Sequence, residues 1–316
     1  MAKKKQLVVL AIGGNALILD NKHQRVEDQY AALVECCRHI VRLLEQGYRL
    51  VLTHGNGPQV GFILRRSELS RHELHPVPLD SCGADTQGAI GYQLQQAMYN
   101  TMREWPKRMP VATVITQTLF DAADPAFQKP SKPIGSFMDE ATAKDRKANE
   151  GWAIVEDAGR GFRRVVASPV PKEIIELDAI RDLVERDVVV ISTGGGGIPV
   201  VRAPNGDLKG ADAVIDKDLA TALLAKNLKA DILIISTAVE KVSLNFGKPN
   251  QKDLDSLTVA EANRYIAEGH FAPGSMLPKI QAVVDFLERG GKMAIITDPP
   301  NLARAVAGET GTRIVP

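Results

Sequence analysis

Cysteine is scarce. Of three residues, Cys36 and Cys37 are adjacent inside a helical pattern, which excludes a disulfide framework, suits a reducing compartment and makes core thiols the plain reading. Net charge is nearly absent as well. The 39 Lys and Arg balance 38 Asp and Glu, so no overall field draws nucleic acid or an anionic membrane, and any anion site must be local. No apolar run is long enough to span a bilayer, and Gly13-Gly14-Asn15 interrupts the run after Lys3, Lys4 and Lys5 too early for a secretory signal. A cytoplasmic protein with no nucleic-acid or membrane partner is expected.

Familiar signatures are missing too. Neither Gly-x-x-x-x-Gly-Lys-Ser/Thr nor Gly-x-Gly-x-x-Gly occurs, which removes the best evidence for an ordinary P-loop NTPase or a dehydrogenase. Gly-x-Ser-x-Gly is absent as well. His72-Glu73-Leu74-His75 places its two imidazoles poorly for one helix face and precedes Pro76, so it reads as a surface turn rather than a zinc site.

What is present is alternation. The 316 residues, 44% hydrophobic, can bury a large core. Leu7 to Ile12 is continuously apolar, as a strand covered on both faces must be, and runs into Gly13-Gly14-Asn15-Ala16. Val26, Tyr30, Leu33, Cys37, Ile40 and Leu44 then recur at helical spacing up to Gly47. Tyr48 to Thr53 is a second strand, ending in His54-Gly55-Asn56-Gly57-Pro58, with a helix under way by Val60. A third apolar run, Val188 to Ile191, ends in Gly194 to Gly197. Right-handed crossovers put the carboxyl ends of parallel strands on one edge, so three glycine loops should converge there as an anion site.

Further elements follow the same alternation. A helix opening near Asp80 and running to about Met102 carries Gly88 and Gly91, which suggests close packing against another backbone; Val111 to Ile115 is a short strand. From Thr116 to about Pro171 the composition changes, and an excursion of that length reads as a lid with structure of its own. It contains a helix from Met138 to Gly151, a tight turn at Glu156 to Gly161, and the cations Lys129, Lys132, Arg160, Arg163 and Arg164; Pro130 and Pro133 fix the backbone around Lys132. Asp216-Lys217-Asp218 opens a helix to about Ala230, with Asp216 as a candidate N-cap. Strands follow at Ile232 to Ser236 and Met293 to Thr297, and helices at Thr258 to Glu268 and from Lys279. Bare backbone amides with isolated lysines suit phosphoryl transfer, in which the protein mainly positions groups and offsets charge.

Gly13-Gly14-Asn15-Ala16, His54 to Gly61, Lys132-Pro133-Ile134-Gly135, Glu156 to Gly161, Gly194 to Val200, Ala213 to Asp218 and Phe271 to Lys279 together resemble carbamate kinase, in the amino-acid kinase superfamily, over nearly the whole chain. The resemblance implies a three-layer αβα architecture: an open, mainly parallel eight-stranded sheet with a protruding lid over residues 116–171. It implies an N-terminal acceptor and dimer lobe, a nucleotide lobe over residues 211–316, and a homodimer. Its reaction is ATP plus carbamate giving ADP plus carbamoyl phosphate, with Mg2+, commonly run toward ATP in arginine or purine-derivative catabolism.

Carried over position by position, the resemblance puts Lys132, Lys217 and Lys279 around the moving phosphoryl group. Asp216 or Asp218 would orient lysines or hold magnesium, which otherwise rides on the nucleotide phosphates. Gly13, Gly14, Asn15, Gly55, Asn56, Gly57, Gly194, Gly195 and Gly196 would bind substrate and phosphate, and Thr237, Ala238, Val242 and Met276 the nucleotide. No general base is needed, because the acceptor carboxylate is already ionised. Three departures from the family pattern, at Asp85, Ser136-Phe137-Met138 and Val170, lie near the acceptor half or its lid. The competing expectations are a kinase of another small carboxylate and a catalytically silent nucleotide-binding sensor.

Overall fold

The computed structural model describes residues 5–18, 20, 22–106, 108–156 and 161–316, the side chains of residues 15 and 136 excepted. Arg160 and most of the tight turn before Gly161 lie outside that set, as does the side chain of Asn15.

Among the described residues, eight strands form the central sheet. In chain order they are β1 (Leu7–Ile12), β2 (Arg49–His54), β3 (Val111–Thr113), β4 (Val189–Ile191), β5 (Ile232–Ser236), β6 (Ser256–Thr258), β7 (Met293–Thr297) and β8 (Thr312–Val315). Their spatial order is β6-β8-β7-β5-β1-β2-β4-β3, and only the β7–β8 pairing is antiparallel. The first strand is central, with Val9 opposite Val51 on one side and Leu233 on the other.

The strand period of two sorts β1 between two cores. Val8, Leu10 and Ile12 join the cluster packed under α1 (Val26–Glu45), α3 (Leu79–Thr101) and α9 (Leu302–Ala307). Leu7, Val9 and Ala11 join the opposite cluster, under α5 (Leu177–Glu185), α6 (Lys217–Asn227), α7 (Val259–Ala267) and α8 (Met276–Glu288). This is the expected three-layer αβα arrangement. It explains the unbroken apolar run of β1, since neither face meets water.

The excursion after Thr116 divides in two. Gln117–Leu119 pairs with Ile198–Arg202 in a separate four-stranded sheet. Lys132–Met138, Ala153–Glu156 and Phe162–Val166 form their own antiparallel sheet with α4 (Glu140–Glu150). That helix is bounded as its residues dictate: Asp139 accepts the Thr142 N–H at its start, and Gly151 takes a left-handed φ of 68° at its end. This three-stranded sheet rests on α2 (Gly57–Ser70), where a Cβ on Gly61 would lie 3.4 Å from Gly135 Cα. Arg71, just past the end of α2, also bonds Glu150 of α4.

Of the three glycines in α3, Gly83, Gly88 and Gly91, only Gly91 meets a neighbour. A Cβ there would come within 2.4 Å of the Thr113 side chain, so α3 sits directly on the edge strand β3, whereas Gly88 faces open space. The His72-to-His75 segment is an exposed turn.

Candidate active site

The loops after β1, β2, β4 and β5 all open at the carboxyl edge of the sheet, around a cavity of about 950 Å³. Gly13, Gly14, Gly55, Asn56, Gly57 and Gly195 line one part of it, with Lys132, Asp216, Lys217, Asp218 and Lys279. Thr237, Ala238, Gly274, Ser275, Pro278 and Asp298 line another.

The charged groups are interlocked. Asp218, only 4% exposed, accepts from Lys217 Nζ at 2.6 Å and from Lys279 Nζ at 2.9 Å through its two oxygens. Burial opposes its ionisation, but the two ammonium groups and their hydrogen bonds outweigh that and bring the carboxyl down to about 2. Asp216 caps α6, its Oδ1 accepting the Asp218 and Leu219 N–H groups, while Oδ2 accepts from Lys132 Nζ at 3.0 Å. Three ammonium groups thus surround two carboxylates, leaving a net positive centre beside a helix N-terminus, a setting that favours an anion.

Each lysine reaches the centre from a different element. Lys217 is the first residue of α6, and its stem crosses Gly55, where a Cβ would touch Lys217 Cδ at 3.5 Å. Lys279 lies in the first turn of α8. Lys132 starts the three-stranded sheet that packs on α2 and is the most exposed of the three.

The four-glycine loop does more packing than wrapping. Gly195, Gly196 and Gly197 have φ of 65°, 93° and 88°. A Cβ would overlap His54 at Gly194, Asn56 at Gly195, the Ile215 carbonyl at Gly196 and Thr118 at Gly197. The loop already uses its Gly196 and Gly197 N–H groups internally, bonding Thr193 and Gly194 carbonyls. Gly194 and Gly196 are therefore buried spacers, and Gly195 is the member at the cavity wall.

Two further positions expected at the nucleotide are placed elsewhere. Val242 is fully buried in the core, its N–H donating to Thr312 Oγ1, because it belongs to a hairpin strand packed inward. Met276 opens α8 and packs against the core from its first turn; Ser275, Pro278 and Asp298 reach the cavity in that region. Asp85 is exposed on α3, and Val170 is exposed after the strand Phe162–Val166.

Sequence reasoning missed the polar residues of α3 that hold these loops. Gln87 donates to the Thr116 and Gly194 carbonyls and accepts the Thr116 N–H; Thr86 accepts from Asn56 Nδ2. The only hint was a polar, glycine-bearing stretch in a helix whose neighbours are apolar.

A glycine-lined, lysine-rich cleft at the carboxyl edge of a mainly parallel sheet defines a phosphotransferase of the open α/β class. The chain belongs to the amino acid kinase family, whose profile matches residues 6–298. It is 54% identical over 314 residues to the carbamate kinase-like protein YahI of Escherichia coli, covering 98% of this chain and 99% of that one. It is 47% identical over 311 residues to the carbamate kinase of Thermococcus kodakarensis, covering 98% of each. The carbamate kinase of Giardia lamblia bound to AMP-PNP superposes with a TM-score of 0.94 at 43% identity, covering 99% of each chain.

Proposed function

We propose that this enzyme is a carbamate kinase, transferring a phosphoryl group between ATP and carbamate and running toward ATP synthesis in the catabolism of arginine or purine derivatives. The observation that carries the reading is the meeting of Lys132, Lys217 and Lys279, from three elements, over one glycine-lined edge. Transfer of a phosphoryl group needs little covalent help from the protein; it needs alignment and compensation of charge on the moving oxygens. Fixed ammonium groups in a partly closed cleft supply that without reorganising during the reaction.

In this reading, Gly13, Gly14, Gly55 and Gly57 leave room for the acceptor and the phosphoryl group. Thr237, Ala238, Ser275 and Pro278 flank the nucleotide. Lys217 and Lys279, pre-oriented by Asp218, face the phosphoryl oxygens, and Lys132 approaches from the lid. Asp216 and Asp218 orient lysines rather than bind metal, since both are already engaged by ammonium groups. Among the described residues, no group of three or more His, Cys, Asp or Glu side chains could hold a metal ion; this reading assigns magnesium to the nucleotide phosphates. A homodimer joined along α3 and β3 suits the exposed Tyr92 and Tyr99 on that edge. No helix among the described residues is long and apolar enough to cross a membrane.

The test is ATP formation from ADP, magnesium and carbamoyl phosphate, with acetyl phosphate in parallel. Rapid ATP formation from carbamoyl phosphate is expected, and Lys217→Ala should slow it by roughly 100-fold or more with the fold intact by circular dichroism. No ATP from carbamoyl phosphate, in protein that binds ADP, would overturn the reading. ATP from acetyl phosphate alone would point to another small-carboxylate kinase.

A further inference from the structure

Most polar groups at the acceptor end of the cavity are donors or charged. Asn56 is different. Its Nδ2 donates to Thr86 Oγ1 at 2.8 Å, and Thr86 Oγ1 in turn donates to the Gly83 carbonyl at 2.7 Å. A hydroxyl has one proton, and Thr86 spends it on Gly83, so Thr86 can only accept from Asn56. The amide nitrogen must therefore lie on the Thr86 side, which fixes the orientation that an asparagine amide otherwise leaves open.

Rotation is blocked as well. Thr86 is fully buried, and Asn56 is packed so tightly against Gly195 that a Cβ there would lie 2.1 Å from Nδ2. Asn56 Oδ1 has no hydrogen-bond partner among the described residues, yet it is not sealed from solvent, and Asn56 lines the cavity between Gly55 and Gly57. An uncharged acceptor is thus held facing a site otherwise furnished with ammonium groups, the carboxylates paired to them and bare amides.

We propose that Thr86 orients Asn56 so that Asn56 Oδ1 accepts a hydrogen bond from the amino group of the acceptor, selecting an amino-bearing carboxylate over its methyl isostere. This rests on the carbamate reading above. Carbamate and acetate share shape and charge and differ at the group opposite the two oxygens, which is a donor in one and apolar in the other. A site built to pair with an N–H leaves its own acceptor unpaired when a methyl group arrives, and so rejects the isostere. Thr86 is a positioning residue, and Asn56 makes the contact.

The experiment compares two constants within each variant: KM for carbamoyl phosphate in ATP formation, and Ki for acetyl phosphate as a competitor. Their ratio does not depend on the active fraction. Thr86→Val, which can no longer hold the amide, is expected to raise KM about tenfold while Ki stays within about twofold, and Thr86→Ser to restore the wild-type ratio. Asn56→Ala, which removes the acceptor, should give the same selective loss and serves if the valine variant does not fold. A ratio unchanged in Thr86→Val and Asn56→Ala, both constants worsening alike, or a serine variant matching the valine one would overturn the proposal. A wild-type enzyme that turns over carbamoyl phosphate but shows any of those results loses only this assignment. No turnover by the wild type would remove the functional reading and this proposal together.

Discussion

Asp216 serves two elements with its two oxygens: Oδ2 holds Lys132 of the small three-stranded sheet at 3.0 Å, and Oδ1 caps α6 by accepting the Asp218 N–H at 2.9 Å. The Lys132 ammonium is therefore docked on the same residue that starts the helix carrying Lys217. The position of that sheet and the start of α6 are linked through one side chain.

Replacement at Asp216 should separate these duties. Asparagine can still cap, so Asp216→Asn should keep the melting temperature within about 1 °C, whereas Asp216→Ala should cost about 1 kcal/mol, or roughly 2 °C. Both lose the ion pair and should slow turnover alike. Calorimetry together with the ATP-formation assay checks this, and equal melting temperatures for the two variants would show that capping contributes nothing.

Glycines at the site should fall into two classes. Gly14 has nothing within 4 Å of a built Cβ and lines the cavity, so Gly14→Ala should fold normally while its methyl group takes space from the substrate and lowers kcat/KM. Gly195 combines φ of 65° with an overlap on Asn56, so Gly195→Ala should lower stability by about 2 kcal/mol or more as well as activity. Urea midpoints measured beside activity would distinguish them; matching stability losses would contradict the division.

His54 should impose a pH dependence on stability. Burial first, with Lys217 nearby adding to it against the opposing Gly55 carbonyl bond, brings its imidazole down to about 4. Between about pH 6.5 and 4 the unfolded chain takes up a proton that the folded one refuses, so this contribution is complete above pH 6.5 and is lost as pH falls toward 4. A 2.5-unit difference corresponds to about 3 kcal/mol at the acid end. His54→Gln should flatten the urea-unfolding profile over that interval; an unchanged slope would mean that His54 is not buried neutral.

Much of the architecture was legible from local pattern. A strand covered on both faces has to be apolar at every position, and Leu7 to Ile12 is; a strand stopping at glycine shows where the chain turns at the sheet edge. The three lysines stood out through their motifs. Strands of three or four residues, such as Ser256–Thr258 and Thr312–Val315, carry too little periodicity to be read, and only pairing across the sheet defines them. Val242 and Met276 lie close in sequence to cavity residues, but a turn of strand or helix directs them into the core.

The sequence by itself determined the alternation of strands and helices, the edge where the loops gather and the residue types available there, because those follow from burial period and backbone freedom within a few neighbours. Tertiary structure alone decided which glycines face the cavity and which are spacers, which carboxylate oxygen holds which lysine, and that Thr86 and Gln87 on α3 hold the loops after β2 and β4. The α3 contacts join residues 30 to 107 positions apart, and a hydrogen bond at that separation is specified by the packing of whole elements, which no local pattern contains.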